Sequence, residues 1–183
     1  MLFELLDKIH LLAVSDYESI LFSTMFLFAF FFGLRIGEYT TSPHNLQFSD
    51  ITVSKTEVIV MFQSFKHSNS NRRTLPHSMK PTSSRYCPVV SENNYLKRRP
   101  RGPGPIFISL GKPISPKTFT LKFKQLVRLT GRSPEHYSAH SFRIGAATHW
   151  FNQNISESRI RQLGRWSSNA FSSYIGGSID HSI

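Results

Sequence analysis

Cysteine, acidic side chains and apolar runs long enough to cross a bilayer are all scarce in this 183-residue chain. The one cysteine, Cys87, excludes an internal disulfide framework and suits a reducing compartment. Only 11 Asp and Glu stand against 22 Lys and Arg, for a net charge of +11, which favours a polyanionic partner over an acidic small substrate. The longest apolar run, Ile20 to Leu34, has 15 residues and ends on Arg35 and Glu38. That falls short of the ~20 residues a bilayer requires, so no membrane partner is expected. Asp7, Asp16 and Glu18 precede the run and no small-residue cleavage site follows it, which argues against a secretory signal. A fully buried central helix accounts for it better.

What is abundant is phenylalanine and clustered positive charge. Sixteen phenylalanines and a 39% apolar fraction suffice for the core of one ordinary domain without disulfides or metals. Between Val58 and Pro134 there are fifteen Lys or Arg against one carboxylate, Glu92, so this stretch carries +14 and the remainder −3. An excess confined to one contiguous region points to nucleic acid rather than to a generally solvated basic surface.

The pattern along the chain predicts a mainly helical α+β fold with a small antiparallel sheet. An amphipathic segment from Leu2 to Val14 leads to the buried helix across a break at Ser15-Asp16, which offers N-caps. From Gln47 to Phe65, alternating Ile51/Val53 and Val58/Val60/Phe62 predict a hairpin or three-stranded sheet that Thr74-Leu75 extends. Its tip is the polar turn Lys66 to Arg73. Residues 76–105 show no clear period, and Lys97-Arg-Arg-Pro-Arg-Gly-Pro-Gly-Pro105 has the composition of a basic loop, a DNA-contacting strap or an import signal. Ile106–Ser109 reads as a short strand. Ser115-Pro116 opens a helix with Phe119, Phe123, Leu126 and Val127 on its inner face and Lys117, Lys124 and Arg128 on another, ended by Gly131. A further helix runs from about His140 to Phe151. Ser156 is expected to cap the next, in which Ile160, Leu163 and Trp166 recur every three residues and Gly164 closes it. A last short helix follows Asn169 and stops at Gly176-Gly177. No repeat or second domain is visible, so residues 1–183 are expected to form one domain, which the resemblance given below implies to be a catalytic domain with no amino-terminal core-binding domain in view.

Chemistry is concentrated in three places: Leu34-Arg-Ile-Gly-Glu38, His140-Ser-Phe-Arg143, and Leu163-Gly-Arg-Trp166 followed by Tyr174-Ile175. These supply two arginines, a histidine and a phenol. A phosphodiester resists attack because its anionic oxygens repel nucleophiles and its alkoxide leaves poorly, so a catalyst must neutralise the developing charge with metals or with guanidinium groups. The acidic residues are scattered, with no pair at helical or hairpin spacing inside the basic region, and neither a metal site nor a cofactor is expected. Arg35 and Arg143 offer the alternative, each a planar fork for non-bridging oxygens. His140 shares a helix face with Arg143, placed to take the phenol proton or to hydrogen-bond the phosphate. Lys66 can protonate a departing 5′ oxygen, with Lys80 as a nearby competitor. The blander readings are an Arg35–Glu38 ion pair one helical turn apart, a chance His-x-x-Arg, and core roles for Trp166 and Tyr174.

The ordered set resembles the tyrosine recombinases, the phage integrase family, over almost the whole chain. Leu34 to Glu38 resembles the family's first arginine box, His140 to Arg143 its His-x-x-Arg box, and Leu163 to Ile175 its His/Trp and nucleophile boxes. The wording Gly-Arg-Trp-Ser-Ser-x-Ala-Phe-x-x-Tyr-Ile is closest to recombinases of eukaryotic mobile elements, the Crypton and tyrosine-recombinase retrotransposon groups. The resemblance implies a DNA breaking-rejoining fold and site-specific recombination or integration. Arg35 and Arg143 would clamp the scissile phosphate of double-stranded DNA, His140 would assist proton transfer, Lys66 would be general acid, and Tyr174 would form a 3′-phosphotyrosine. Glu38 would brace the site. In many members the His or Trp lies nine residues before the tyrosine, which here is Arg165; Trp166 is eight before and matches in residue type. Arg72, Arg73, Lys117, Lys124 and Arg128 would contact DNA, on which a homo-tetramer would assemble, inside the cell and in the nucleus if the source is eukaryotic. Such members usually carry an amino-terminal clamp domain and a further helix after the tyrosine. The alternative is therefore a fragment or a domesticated, catalytically inactive DNA-binding module of the same fold.

Overall fold

The computed structural model describes residues 1–63 and 76–175. Lys66, Arg72, Arg73, the Thr74-Leu75 extension and the Gly176-Gly177 stop lie outside the described residues. Helices α1 (Leu2–Lys8), α2 (Asp16–Phe31) and α3 (Ile36–Tyr39) come first, followed by strands β1 (Ile51–Val53), β2 (Val58–Val60) and β3 (His77–Met79). After them come α4 (Pro88–Leu96), the two-residue strands β4 (Ile108–Ser109) and β5 (Lys112–Pro113), and helices α5 (Pro116–Leu129), α6 (Ala139–Asn152) and α7 (Glu157–Leu163). A 3₁₀ turn, Asn169–Tyr174, is the last described element. The fold is thus mainly helical with a small antiparallel sheet.

The apolar run becomes the centre of the molecule, as its composition requires. Ser15 caps α2 by accepting from the Glu18 amide at 3.2 Å. Nine of the helix's residues are buried, and it packs against α4 on one side and α6 on another. Phe26 meets Phe119, Phe123 and Phe142 with ring centroids 5.3–6.0 Å apart, so α2, α5 and α6 interlock through tilted and edge-on aromatic contacts. Among the described residues no helix is long and apolar enough to cross a membrane.

The end of α2 is a built turn. Gly33 takes φ +53°, a left-handed conformation, while its amide donates to the Phe30 carbonyl and the Leu34 amide reaches back to the Ala29 carbonyl. This is the hydrogen-bond pattern of a glycine-ended helix. A Cβ at Gly33 would sit 2.7 Å from the Trp150 ring, so glycine is needed for space as well as for the turn.

The sheet runs β1-β2-β3, all antiparallel, with Ile51 opposite Val60 and Val60 opposite His77. In β3, His77 is 7% exposed and packs on Phe32 and Trp150 at 4.8 and 5.8 Å. Burial holds its imidazole down to about 3, so it is neutral. Between Ile108–Ser109 and Lys112–Pro113, Leu110 (φ 50°) and Gly111 (φ 76°) form a tight turn in which both central residues are left-handed.

Helix α4 has no counterpart in the sequence pattern of 76–105. Pro88 at its first turn and buried Val89 and Tyr95 are ordinary helix features, but Ser91-Glu-Asn-Asn94 obscures the apolar period. The obscuring residue is itself buried: Glu92 is 0% exposed and neither carboxyl oxygen has a hydrogen-bond partner among the described residues. In the basic loop after α4, Arg99 is 6% exposed and donates to the carbonyls of Pro100, Gly102, Pro105 and Ile106. Its charge organises the loop from within, leaving Lys97, Arg98 and Arg101 on the surface.

Helix α6 works on two faces. Phe142 enters the main core, while Ala146, Ala147 and Trp150 join Ile160 and Phe171 in a smaller cluster against which Trp166, Tyr174 and Ile175 pack. The C-terminal segment is held to the molecule through this second cluster.

Burial lifts the Glu92 carboxyl from 4.5 to about 8, partly opposed by Arg99. The native state then keeps a proton that the unfolded chain releases above pH 4.5, so wild-type stability falls as pH rises through this window. Glu92→Gln removes that dependence. Urea unfolding between pH 5 and 8 should show the variant gaining on wild type by about 1.4 kcal/mol per pH unit.

Candidate active site

The site forms where the end of α2, the start of α6 and the segment after α7 converge. Arg35 precedes α3 as its N-cap residue, and its amide donates to Glu38 Oε2 at 2.7 Å. Its guanidinium Nη1 pairs with Glu38 Oε1 at 3.3 Å and Nη2 donates to the Arg165 carbonyl at 2.7 Å. The simple ion pair read from the i, i+3 spacing is present, then, but only as part of something larger.

Glu38 is 2% exposed, and a carboxylate so far from water is costly unless cations reach it. Two do. Arg165 Nη2 lies 2.6 Å from Oε2 and its Nε donates at 3.2 Å to Oε1, the same oxygen that Arg35 Nη1 contacts. Burial pushes the Glu38 carboxyl up, but the Arg165 charge and hydrogen bonds outweigh it, and the net shift is downward.

His140 and Arg143 stand on the first turns of α6. Ser138 caps the helix by accepting from the His140 amide, and Ser141 Oγ accepts from the Ser138 amide in return. Arg143 is 3% exposed; its Nη1 donates to the Gly33 carbonyl and its Nη2 to the Gly164 carbonyl at 2.7 Å. Helix α6 is thereby tied to the turn after α2 and to the end of α7. Burial first, then the charges of Arg165 and Arg35, bring the Arg143 guanidinium down to about 9. It remains a cation at pH 7, one whose surroundings favour an approaching anion.

Gly164 closes α7, as expected, and Trp166 lies beyond the helix end. The helix ends at Leu163, and the indole folds back onto Gly164, where any Cβ would overlap the ring. That ring lies 4.4 Å from the Arg143 guanidinium carbon on one side and 5.5 Å from the Phe171 centroid. It is thus a spacer between an arginine and the turn that carries Tyr174.

Tyr174 Oη is 2.9 Å from His140 Nε2, and the two rings meet edge to face at 5.4 Å. Thr148 on α6 donates to the Tyr174 carbonyl at 2.9 Å, holding the turn by its backbone. Burial first, then Arg143 and Arg35, keep the His140 imidazole below its usual 6.5, so it is neutral at pH 7. In the Nδ1–H tautomer its Nε2 accepts from the phenol.

The structure therefore gathers Arg35, Glu38, His140, Arg143, Arg165, Trp166 and Tyr174 into one connected group. Lys66 lies outside the described residues. Lys117, Lys124 and Arg128 share the outer face of α5, with Lys117 and Arg128 exposed and Lys124 partly so. Four participants went unnoticed in the sequence. Gly33 is the one with a readable signal, a glycine directly after an apolar helix; Phe62 beneath Arg165, Thr148, and Gly164 as a carbonyl acceptor in the network carry none.

Because the depressed Glu38 carboxyl contributes stability above its unfolded value of 4.5, that stability is lost as pH falls through its folded value. Glu38→Ala, which strands Arg165, should cost about 3–5 kcal/mol in urea unfolding at pH 7. The gap to wild type should close as the pH drops below 4.5.

Compared with known proteins, the chain matches the phage integrase family over residues 6–174. Its fold is also that of two solved complexes of XerH site-specific recombinase. The post-cleavage complex with a palindromic difH substrate aligns with a TM-score of 0.68 at 13% identity, covering 94% of this chain and 46% of that one. The pre-cleavage complex with difH gives the same TM-score and identity, covering 94% and 47%. The chain thus spans about half the length of the structures it matches, and at this identity the likeness is one of fold. Among curated protein sequences there is no match. With residues 6–174 matched and the corresponding fold adopted, the chain belongs to the phage integrase family, the tyrosine recombinases.

Proposed function

We propose that this chain is the catalytic domain of a site-specific DNA recombinase that cuts and rejoins strands through a 3′-phosphotyrosine. The observation that carries the reading is the 2.9 Å contact of Tyr174 Oη with a neutral His140 whose charge state is set by burial and by Arg143 and Arg35. A phenol titrates near pH 10, so it attacks at neutral pH only where a base waits and cations stabilise what forms. His140, with Arg143 and Arg35 behind it, is the set of groups that would meet both conditions at Tyr174.

In this reading Arg35 and Arg143 bind the non-bridging oxygens of the scissile phosphate through the N–H groups their carbonyl and carboxylate partners leave over. The Tyr174 oxygen attacks phosphorus as its proton passes to His140 Nε2; the bond from phosphorus to the 5′ oxygen breaks, and Lys66 protonates that oxygen. The energy of the broken bond is kept in the phosphotyrosine, so the 5′ hydroxyl of another strand reverses the step. Trp166 borders the phosphate pocket and donates its indole N–H. No cofactor enters. Lys117, Lys124 and Arg128 offer one basic face to the duplex backbone, and Arg72 and Arg73 are further phosphate contacts in this reading. The XerH complexes hold substrate DNA, which supports double-stranded DNA as the partner here. Assembly as a homo-tetramer on paired sites, descent from a eukaryotic mobile element and residence in the nucleus complete the proposal.

A pool of nicked duplexes with randomised flanks tests it. Wild type should give a covalent protein–DNA band on a denaturing gel, and Tyr174→Phe should give none while still retarding duplex on a native gel. A band that survives Tyr174→Phe removes the nucleophile assignment. Duplex retardation with no band from wild type leaves an inactive binding module. The rate of adduct formation should be level from pH 8 down to 6.5 and decline only below that value, where His140 gains its proton.

A further inference from the structure

Nine residues before Tyr174 stands an arginine, and its guanidinium has no N–H left to offer. Nε and Nη2 donate to the two Glu38 oxygens at 3.2 and 2.6 Å, Nη2 also to the Gly33 carbonyl at 3.1 Å, and Nη1 to the carbonyls of Leu163 and Phe32 at 2.8 and 3.4 Å. A guanidinium carries five N–H groups, so every one is taken. Its flat face lies 3.8 Å from the Phe62 ring centroid, and the side chain is 5% exposed. Arg35 and Arg143, by contrast, each commit two guanidinium N–H groups to partners among the described residues.

What Arg165 holds is as informative as its saturation. Its carbonyl accepts from Arg35, its side chain grips the carboxylate that Arg35 also grips, and it shares the Gly33 carbonyl with Arg143. The loop from Arg35 to Glu38 to Arg165 and back to Arg35 is closed. Sending carbonyl and side chain to these two places demands a left-handed backbone, φ 55°, that a residue with a Cβ rarely adopts.

We infer that Arg165 is a positioning residue: it fixes the forks of Arg35 and Arg143 for a phosphate and does not touch the phosphate itself. This rests on the strand-cleavage reading of the site. Three guanidiniums around a single carboxylate repel one another, and the two with spare donors stay in register because the third is fully bonded. Trp166, folded over Arg143, is then the residue of this segment that borders the pocket.

The substitution that isolates this role is Arg165→Gly, since glycine accepts the φ, keeps the carbonyl that Arg35 uses and removes only the fork. Adduct formation on nicked duplex should slow by roughly 100-fold, while the apparent Kd for duplex rises by less than about tenfold. Guanidinium chloride, kept far below denaturing concentration, should return at least part of the lost rate by filling the vacated place. Arg165→Lys, which can make only some of these bonds, should fold with a sharp thermal transition and still cleave more slowly than wild type, and it serves if the glycine variant does not fold. Wild-type cleavage by either folded variant overturns the inference. So does a loss of duplex affinity that accounts for the whole loss of rate, the result expected of a direct phosphate ligand. If the wild-type chain itself forms no adduct, the strand-cleavage reading falls and takes this inference with it; a wild-type adduct with unimpaired variants removes this inference alone.

Discussion

A buried carboxylate stays ionised only if cations come to it, and Glu38, at 2% exposure, is met by Arg35 at the start of its own helix and by Arg165 from a point 127 residues further along. Remove that charge and the arginines around it have nothing to offset their mutual repulsion. The rest of the site is arranged around this contact. Arg35 is oriented by it, the backbone at Arg165 is bent to reach it, and the Gly33 carbonyl beside it serves Arg143 as well as Arg165. Since the cations outnumber the carboxylate, the pocket is satisfied within the chain only in part. The excess is what an anion would answer.

The fold sustains such a pocket by surrounding it with closely packed elements. Phe26, Phe119, Phe123 and Phe142 lock α2, α5 and α6 together, and the glycine turn after α2 is wedged against Trp150. The nucleophile candidate is held differently. Tyr174 rides on a short 3₁₀ turn attached through Thr148, the His140 contact and the small cluster around Ala146, Ala147 and Phe171. One end of the site is built into the main core, and the other is docked onto it from outside. The second kind of support suits the part proposed for this phenol, which is to approach and leave a phosphorus atom.

Much of this arrangement is legible in the residues alone, for physical reasons that can be named. The α2 run is too short for a bilayer and too apolar for a surface, so burial is its only outcome. The Phe119, Phe123, Leu126 and Val127 period and the Ser115-Pro116 start define α5, and its cations do fall on the opposite face. The hairpin of β1 and β2 comes from alternation. Helix α4 is hidden because its buried Glu92 looks like a surface residue until the helix is packed. Arg99 counts as part of a basic surface in the sequence and is in fact enclosed by carbonyls, since composition records charge but not direction.

The residue types and their order along the chain, two arginines, a histidine, a tryptophan and a tyrosine in three short blocks, were set by the sequence alone, and with them the family. How the two neighbours Arg165 and Trp166 are turned, the first into the Glu38 network and the second onto Arg143, was decided by tertiary structure. Side-chain direction at a helix end depends on the backbone at that point, and the left-handed turn at Arg165 was fixed by partners that lie more than a hundred residues away. Local periodicity carries no information about such partners. They are chosen when the chain closes on itself, by the requirement that a buried charge be matched.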